Sequence, residues 1–244
     1  MLLASYKVTD ELAPMVRLGI VSNSPPDTVA PAPPAKSATG FLNPVVGATY
    51  AIKLSPELKL ALFLGLTIPV GSGGGDSPKP EAAAANAAGI RARSAMDNAM
   101  FAVNDFTVFP GVDFAFVSGG FTAQVEATLF QLTRVRGDAV QKDSSKTNFT
   151  TGLHLGYFLT TFLSLGAEIR HQRWLSTPKT IQGNPAYSES TLRDTTTFAV
   201  GPRFHIKLGE KVWLRPGVAF AMPLDDPMKD SKYKIVQIDI PVAF

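Results

Sequence analysis

The sequence predicts an all-β fold, a single up-and-down antiparallel transmembrane β-barrel that takes in residues 1–244. Three observations predict it: apolar residues recur at every second position, the connections are alternately short and long, and no apolar run is long enough for a membrane helix. Hydrophobic residues make up 45% of the chain and the mean hydropathy is +0.11. With no cysteine and a formal net charge of +3, the sequence excludes disulfides, and we expect no nucleic-acid partner.

The segment Leu58–Val70 shows the alternation most clearly. One of its faces carries the large apolar residues Leu58, Leu60, Leu62, Leu64, Leu66 and Ile68. A tilted membrane strand needs ~9–11 residues in the hydrocarbon, so the length fits. A soluble β-sandwich also alternates, and the alternation alone leaves that alternative open.

Eleven segments of the sequence have this strand pattern. They are Leu2–Val8, Leu12–Val21, Phe41–Leu54, Leu58–Val70, Thr107–Val117, Phe121–Val135, Thr147–Leu159, Phe162–Trp174, Thr195–Leu208, Lys211–Met222 and Lys232–Phe244. Single-chain bacterial barrels have even strand numbers, and no signal peptide follows Met1. We therefore expect about 12 strands in the parent protein, the first of them missing before Met1.

Every predicted hairpin is tight at one end and open at the other. The short connections are Val8–Glu11, Ser55–Glu57, Ser118–Gly120, Thr160–Thr161 and Gly209–Glu210. The long ones are Asn23–Thr39, Gly71–Asp105, Gly137–Ser145, Ser176–Leu192 and Pro223–Ser231. Outer-membrane barrels have this arrangement, with short periplasmic turns and longer extracellular loops, whereas a soluble sandwich has no reason to sort its loops by end.

The final strand ends in phenylalanine, and its alternate residues Phe244, Val242, Ile240 and Ile238 are apolar. This pattern resembles the C-terminal signal of bacterial outer-membrane barrels, a family in which the barrel assembly machinery recognises the last strand. The resemblance implies that this face is an assembly signal. It also implies a location among the lipids of the outer membrane of a Gram-negative bacterium.

The stretch Leu62–Gly71 is similar to a strand that ends in Pro-x-Gly in a group of transporter-like barrels. These barrels are associated with aromatic-compound (phenol) degradation pathways. The resemblance implies a channel or facilitator for passive passage of a small solute, hydrophobic or aromatic in character. An alternative is a structural or surface-interaction barrel whose extracellular loops bind a partner.

The faces opposite the leucines would line the lumen, and they carry charges of both signs. The lumen or selectivity candidates are Glu126, Glu168, Arg170, Arg203, Arg215 and Asp239. The same faces also carry Arg17, Lys53, Asp113, Gln124, His154, His205 and Gln237. These side chains either pair with one another structurally, or unpaired arginines at 170, 203 and 215 set selectivity against Glu126 and Glu168.

The extracellular insert Gly71–Asp105 predicts a short helix, because strong helix formers follow Pro80. About 12 strands leave a narrow lumen, so this helix could cover the mouth or fold inward as a plug. The other interpretation is a loose surface loop. The glycine run at Gly73–Gly75 is not a phosphate-binding loop, since no Lys-Ser or Lys-Thr pair follows it.

An outer-membrane enzyme is the remaining alternative, and it is less expected. The sequence has three histidines and no nucleophile motif beside any of them. His171 with Asp194 or Glu189 is the pair that would come nearest to a catalytic set. We therefore expect no catalytic, cofactor or metal site.

Overall fold

The computed structural model describes residues 1–24, 36–92, 98–176, 194–225 and 234–243. Its strands are β1 (Leu2–Ser5), β2 (Leu12–Leu18), β3 (Ile20–Asn23), β4 (Ala38–Phe41), β5 (Val45–Lys53), β6 (Leu58–Thr67), β7 (Asp105–Ser118), β8 (Phe121–Arg134), β9 (Ser145–Phe158), β10 (Leu163–Trp174), β11 (Asp194–Phe204), β12 (Ile206–Lys207), β13 (Trp213–Leu214), β14 (Gly217–Pro223), β15 (Ile235–Asp239) and β16 (Val242–Ala243). Its helices are α1 (Pro80–Ala92) and α2 (Asn98–Phe101).

Eleven strands form one antiparallel sheet in the order β1-β2-β5-β6-β7-β8-β9-β10-β11-β14-β15. Each strand pairs with the next one along the chain within this sheet, which is the predicted up-and-down topology. The sheet is curved, because side chains from β2 and from β10 line one cavity. Strands β1 and β15 are its two edges, and among the described residues no ladder joins them.

Three segments that the sequence predicted as single strands are each divided, the first at His205 and the other two next to a proline. These segments are Thr195–Leu208, Lys211–Met222 and Lys232–Phe244. The part of each that lies nearest the short-turn end forms the separate sheet β12-β13-β16. Pro216 and Pro241 have no N–H to donate to a ladder. Their carbonyl oxygens still accept, from the N–H of Phe204 and of Arg215 respectively, each at 2.9 Å. The small sheet therefore continues the large one past the breaks.

The predicted strands Leu12–Val21 and Phe41–Leu54 are also divided, into β2 with β3 and β4 with β5. Strands β3 and β4 pair only with each other and pack against α1. Gly19 lies at the first break and Pro44, which has no N–H to donate, at the second. Side chains crowd this point, since a Cβ at Gly19 would lie 2.9 Å from Cδ1 of Leu42. The remaining predicted strands are confirmed, with ends shifted by a few residues.

Hydroxyl groups close the tight hairpins at the short-turn end of the sheet. Thr160 Oγ1 accepts hydrogen bonds from the N–H groups of Phe162 at 3.3 Å and Leu163 at 3.1 Å. The same turn recurs at two more hairpins, where Thr9 accepts from Glu11 and Leu12 and Ser55 accepts from Glu57 and Leu58. A Ser or Thr two to three residues before the next strand thus organises the turn.

Replacing this hydroxyl should weaken the fold. We expect Thr160→Ala to lower the free energy of unfolding by about 1 kcal/mol, because two turn N–H groups lose their partner but remain open to water. Urea unfolding of the refolded protein, followed by tryptophan fluorescence, measures this. The neighbouring Thr161→Ala is the control and should change little; equal losses in the two variants would contradict the assignment.

The predicted helix in the extracellular insert is confirmed as α1, which begins at Pro80. The first helical position suits proline, because its missing N–H would have no partner there. Glu81 follows it, 3.4 Å from the ammonium of Lys36. A backbone hydrogen bond lowers the pKa of Glu81, and Lys36 lowers it further. Within the described ranges, neither helix has the length and apolarity needed to cross a membrane.

The outer face of the sheet is apolar and exposed. Leu62, Leu64, Val125 and Ile169 expose 46, 50, 55 and 43% of their surface. The buried apolar cluster is confined to the long-connection end. The soluble β-sandwich is therefore wrong, because it would bury these leucine faces rather than expose them. An exposed apolar belt of this extent is suited to lipid.

Candidate functional site

The candidate site is the interior of the curved sheet, and the strand register decides which side chains enter it. Asp113 lies opposite Glu126, Glu126 opposite Gly152, and Gly152 opposite Arg170. Residues directly opposite one another on paired strands share a face. These positions on β7 to β10 therefore form one layer across the interior, away from the exposed leucines.

Four residues of this interior form a cluster of ion pairs, here called the charge cluster: Glu126, His154, Glu168 and Arg170. Arg170 contacts both carboxylates, Nη2 to Glu126 Oε1 at 2.9 Å and Nε to Glu168 Oε1 at 2.7 Å. His154 lies between the same carboxylates, 2.9 Å from Glu168 and 3.5 Å from Glu126. All four side chains are a quarter to a third exposed. The cluster therefore borders an open space.

Asp113 and Gln124 extend this layer towards β7. The side-chain amide of Gln124 donates a hydrogen bond to the carboxylate of Asp113. Gln124 also lies opposite His154 on β9. A polar band thus crosses four strands, from Asp113 on β7 to Arg170 on β10.

Gly152 on β9 leaves room for Arg170 on β10 to contact Glu126 on β8. A Cβ at this position would lie 2.9 Å from both Cγ and Oε1 of Glu126 and 3.1 Å from Nε2 of His154. The arginine on β10 reaches the carboxylate on β8 across this glycine. The absence of a side chain at this point is therefore a requirement of the cluster.

Gly152→Ala should displace the carboxylate of Glu126 and weaken its contact with Arg170. We expect the free energy of unfolding to fall by about 1–3 kcal/mol, the usual cost of overpacking. Urea unfolding measures it. Gly156→Ala is the matched control on the same face of β9, because its nearest neighbour would be Thr122 Cβ at 3.8 Å. Equal tolerance of both substitutions would show that the cluster adapts freely.

A second ion pair lies nearer the short-turn end. Arg203 on β11 contacts Asp239 on β15 at 2.6 Å and donates to the carbonyl of Arg215 at 3.0 Å. The guanidinium of Arg215 lies over the ring of Trp213, 5.9 Å from its centroid. The sequence hypothesis that Arg170 and Arg203 are unpaired is therefore wrong, since Glu126 and Glu168 contact Arg170 and Asp239 contacts Arg203.

The long-connection end of the interior is filled by apolar side chains of the insert. Ala99, Met100 and Phe101, here called the apolar cap, are at most 6% exposed. They pack against Leu42, Val45 and Phe109. The cap belongs to α2, so this part of the insert folds inward and is not the loose surface loop of the alternative interpretation.

Aromatic rings lie directly beneath the cap. Phe109 is centred 5.5 Å from Phe63 and 5.1 Å from Phe130, and it stacks on the latter with planes 11° apart. Gly65 lies opposite Phe109 on β6, and a Cβ there would overlap the Phe109 ring. The glycine therefore fixes the position of the ring that the cap rests on.

One asparagine holds the two ends of the insert together. Asn43 donates from Nδ2 to the carbonyl of Ala102 at 2.8 Å, and its Oδ1 accepts from the N–H of Gly71 at 2.9 Å. Arg136 binds the same region, donating to the carbonyls of Val103 at 3.0 Å and of Gly71 at 2.6 Å. The two ends of the insert are thus anchored by a residue just before β5 and by a residue just after β8.

Two cavities lie in series along the interior. The upper cavity, of about 260 Å³, is bounded by Met100 and Phe109 at one end and by Glu126 and Arg170 at the other. The lower cavity, of about 340 Å³, extends from His154, Glu168 and Arg170 to the Arg203–Asp239 pair. Because Arg170 borders both, the charge cluster lies between them.

His171, the histidine that the enzyme alternative depends on, does not contact Asp194. His171 Nδ1 lies 2.9 Å from Thr196 Oγ1, while Asp194 pairs with Arg173 at 3.0 Å. Glu189 lies outside the described residues. In the described part of the chain, no three His, Cys, Asp or Glu side chains are grouped as metal ligands. The pairing of His171 with Asp194 is therefore wrong.

The predicted assembly signal lies at the edge of the sheet. Ile238, Ile240 and Val242 expose 69, 65 and 53% of their surface, as expected of an outward apolar face. Phe244 lies outside the described residues. Strand β15 pairs with β14 on one side and is the last strand of the large sheet.

Sequence reasoning missed the residues that position this site. Gly152, Asn43 and Arg136 were not singled out, although each fixes a contact that defines the lumen. A polar Asn43 directly before Pro44, within an apolar strand pattern, was a signal of a broken strand. The role of Gly152 depends on two other strands and has no local signal.

One of the solved structures similar to this chain shares its fold. An outer membrane channel from Pseudomonas putida F1 aligns with 99% of this chain and 79% of its own, at 15% identity and a TM-score of 0.58. The NanC porin aligns with 99% of this chain and 97% of its own, at 10% identity and a TM-score of 0.49. A FadL homologue from Pseudomonas aeruginosa aligns with 99% and 64%, at 10% identity and a TM-score of 0.41.

No protein-family model and no curated protein sequence matches the chain. The likeness to the Pseudomonas putida channel confirms the predicted fold, an antiparallel outer-membrane β-barrel. The exposed apolar belt on this fold is the surface expected of a barrel whose outer face contacts membrane lipid.

Proposed function

We propose that this barrel is a passive channel or facilitator for a small organic solute. The observation that carries the proposal is the pair of cavities in series, which follow the barrel interior from the apolar cap to the Arg203–Asp239 pair. A barrel with no transport role has no need to leave such space in its lumen, because side chains can fill a barrel of small bore.

The charge cluster is the proposed selectivity element. It lies between the two cavities, so a solute must pass Arg170 and its two carboxylate partners. Rings of charged side chains at a constriction determine which ions and polar groups pass. Arg203, Asp239 and Arg215 form a second charged point nearer the periplasm, below the lower cavity.

The proposed solute is hydrophobic or aromatic in part. Phe63, Phe109 and Phe130 supply flat apolar surfaces at the entrance of the upper cavity. The resemblance of Leu62–Gly71 to barrels of aromatic-compound degradation supports the same class. The last strand, with its exposed Ile238, Ile240 and Val242, is the part that the barrel assembly machinery would recognise during insertion.

Solute uptake into proteoliposomes tests the proposal. Liposomes that contain the refolded barrel should swell in isosmotic solutions of small organic solutes, and the rate should fall steeply as the solute grows beyond a single ring. Liposomes with a heat-denatured sample are the control. Swelling no faster than this control, from barrels that run as folded species on a gel, would sink the proposal.

A structural or surface-interaction barrel is the second candidate, and one observation favours it. The ion pairs of the charge cluster join β8, β9 and β10 across the interior, as expected of a lumen closed for stability. The swelling experiment separates the two candidates, because a closed lumen passes no solute while the fold stays intact.

A further inference from the structure

The upper cavity has two chemically different ends. Met100, Phe63, Phe109 and Phe130 line the end beneath the apolar cap. The opposite end is lined by charged groups, namely Asp113, Glu126 and Arg170. A molecule that fills this space must therefore be amphipathic, with an apolar body towards the cap and a polar group towards the charge cluster.

The volume of the upper cavity limits the size of that molecule. Its 260 Å³ exceeds the roughly 150 Å³ of an engineered apolar cavity that binds benzene. One aromatic ring with a polar substituent fits, and a fused ring system with several substituents does not. The stacked pair of Phe109 and Phe130 offers flat surfaces, which suit a ring better than a branched chain.

The charges around the cavities do not by themselves decide the sign of the polar group. The charge cluster combines two carboxylates with the guanidinium of Arg170 and the imidazole of His154. These charges of opposite sign are matched locally. The sign of the solute must therefore be determined elsewhere along the path.

Two lysines lie side by side at the periplasmic end of the sheet, on the lumen face of β5 and β6. Lys53 on β5 lies opposite Lys59 on β6, and Lys59 lies opposite Ala115 on β7. Ala115 is two residues from Asp113, so both lysines are on the same face of the sheet as Asp113. Like charges directly opposite each other destabilise a sheet. A fold that keeps two lysines in this arrangement at its exit has an electrostatic use for them, because a mouth of one sign concentrates ions of the other.

The opposite wall of the mouth has the same sign. Lys207 lies opposite Trp213, the residue that supports the guanidinium of Arg215. Asp239 is the carboxylate of this wall, and it is paired with Arg203. Basic side chains thus border the exit from two sides of the barrel.

From these features we propose that the solute is a small amphipathic anion, a carboxylate on a single aromatic ring. The inference rests on the proposed channel function and adds the charge of the solute to it. The ring occupies the upper cavity beneath the cap, the carboxylate passes the matched charge cluster, and the basic mouth draws it towards the periplasm.

Reversal potentials of the full chain in planar bilayers test the sign. Gradients of sodium benzoate, sodium chloride and benzylammonium chloride are applied to the same channel. We expect benzoate to be several-fold more permeant than sodium, and benzylammonium to be less permeant than chloride. Preference for either cation would overturn the inference while leaving the channel function in place. A folded barrel that conducts none of the salts would overturn both.

Charge reversal at the mouth tests the cause. The double substitution Lys53→Glu with Lys59→Glu should reduce the preference for benzoate over sodium several-fold. The matched control is the double substitution Lys79→Glu with Lys142→Glu, an equal change of charge at the extracellular end, which should leave this ratio nearly unchanged. If the control lost the preference for benzoate over sodium and the variant at Lys53 and Lys59 kept it, selectivity would lie at the extracellular end, and the inference would be overturned.

A ring-binding variant tests the upper cavity separately. Phe109→Ala should weaken block of the chloride current by benzoate several-fold, and benzyl alcohol should block less than benzoate in the unaltered chain. Phe114→Ala, on the outward face of the same strand, is the control and should leave the block unchanged. Equal block of both variants would show that the aromatic ring of benzoate does not bind in the upper cavity, and it would overturn the inference.

Discussion

Deleting residues 73–101 should raise the single-channel conductance of the barrel by several-fold. This segment holds α1 and the apolar cap, whose buried side chains close the upper cavity at the extracellular mouth. Removing it leaves the aromatic layer around Phe109 as the first constriction. Conductance rises as the narrowest part of a water-filled path widens, so the change should be large.

The deletion is compatible with the fold, because the ends of the segment lie close together. Asn43 binds both the N–H of Gly71 and the carbonyl of Ala102 through one side-chain amide. A linker of two glycines between residues 72 and 102 therefore spans the gap without moving β6 or β7. Met100→Ala is the milder variant, and it should raise the conductance less than the deletion does.

Planar-bilayer recording of the three proteins under one salt condition makes this comparison. Heat-modifiable migration on a gel confirms that each is a folded barrel. A deletion variant that is folded and conducts no better than the unaltered chain would show that the cap does not limit passage. The constriction would then lie at the charge cluster.

Arg170→Met should make the lumen more permeable to cations and lower the free energy of unfolding. The substitution keeps much of the side-chain volume but leaves Glu126 and Glu168 with His154 as the cation of the charge cluster. Removing one partner of a fully buried ion pair lowers the free energy of unfolding by about 3–5 kcal/mol. Because these side chains are a quarter to a third exposed, we expect about 1–2 kcal/mol here.

Selectivity is the more specific effect of this substitution. We expect the ratio of sodium to chloride permeability to rise several-fold, because two carboxylates then face the path between the cavities. Arg170→Lys keeps the charge and should restore most of the ratio. Arg173→Met, at the extracellular rim where Arg173 pairs with Asp194, is the matched control and should leave it unchanged. An unaltered ratio in Arg170→Met would show that ions bypass the cluster.

The strand pattern was predictable because it depends on neighbouring residues alone. Two-residue alternation identified the eleven strands of the large sheet and separated the leucine face from the lumen face. The breaks at Pro216 and Pro241 were missed, although proline cannot donate to a ladder. Alternation continues across such a break, so the pattern of apolar residues does not reveal it.

The pairing of side chains in the lumen could not be predicted from the sequence for a different reason. Alternation placed Glu126, Glu168 and Arg170 on the inner face, but their pairing depends on the register between three strands. A shift of one strand by two residues keeps every side chain on its face and changes every partner. The sequence therefore predicted the charged lumen without predicting that Arg170 is paired.

The position of the cap was also not predictable. Met100 and Phe101 were recognised as apolar residues of the insert, but an exposed helix and an inward one have the same composition. What distinguishes them is packing against Leu42, Val45 and Phe109 and the hydrogen bond that Asn43, more than fifty positions earlier in the chain, donates to the carbonyl of Ala102. Such long-range contacts leave no local pattern.

Single-channel recording of the unaltered full chain, refolded from detergent into a planar bilayer, tests whether this barrel is a channel. We expect small, steady conductance steps, reproducible from channel to channel, because the cap and the charge cluster narrow but do not fill the lumen. Bilayers that stay silent, with barrels that are folded and heat-modifiable on a gel, would contradict the channel and favour a barrel that acts through its extracellular loops.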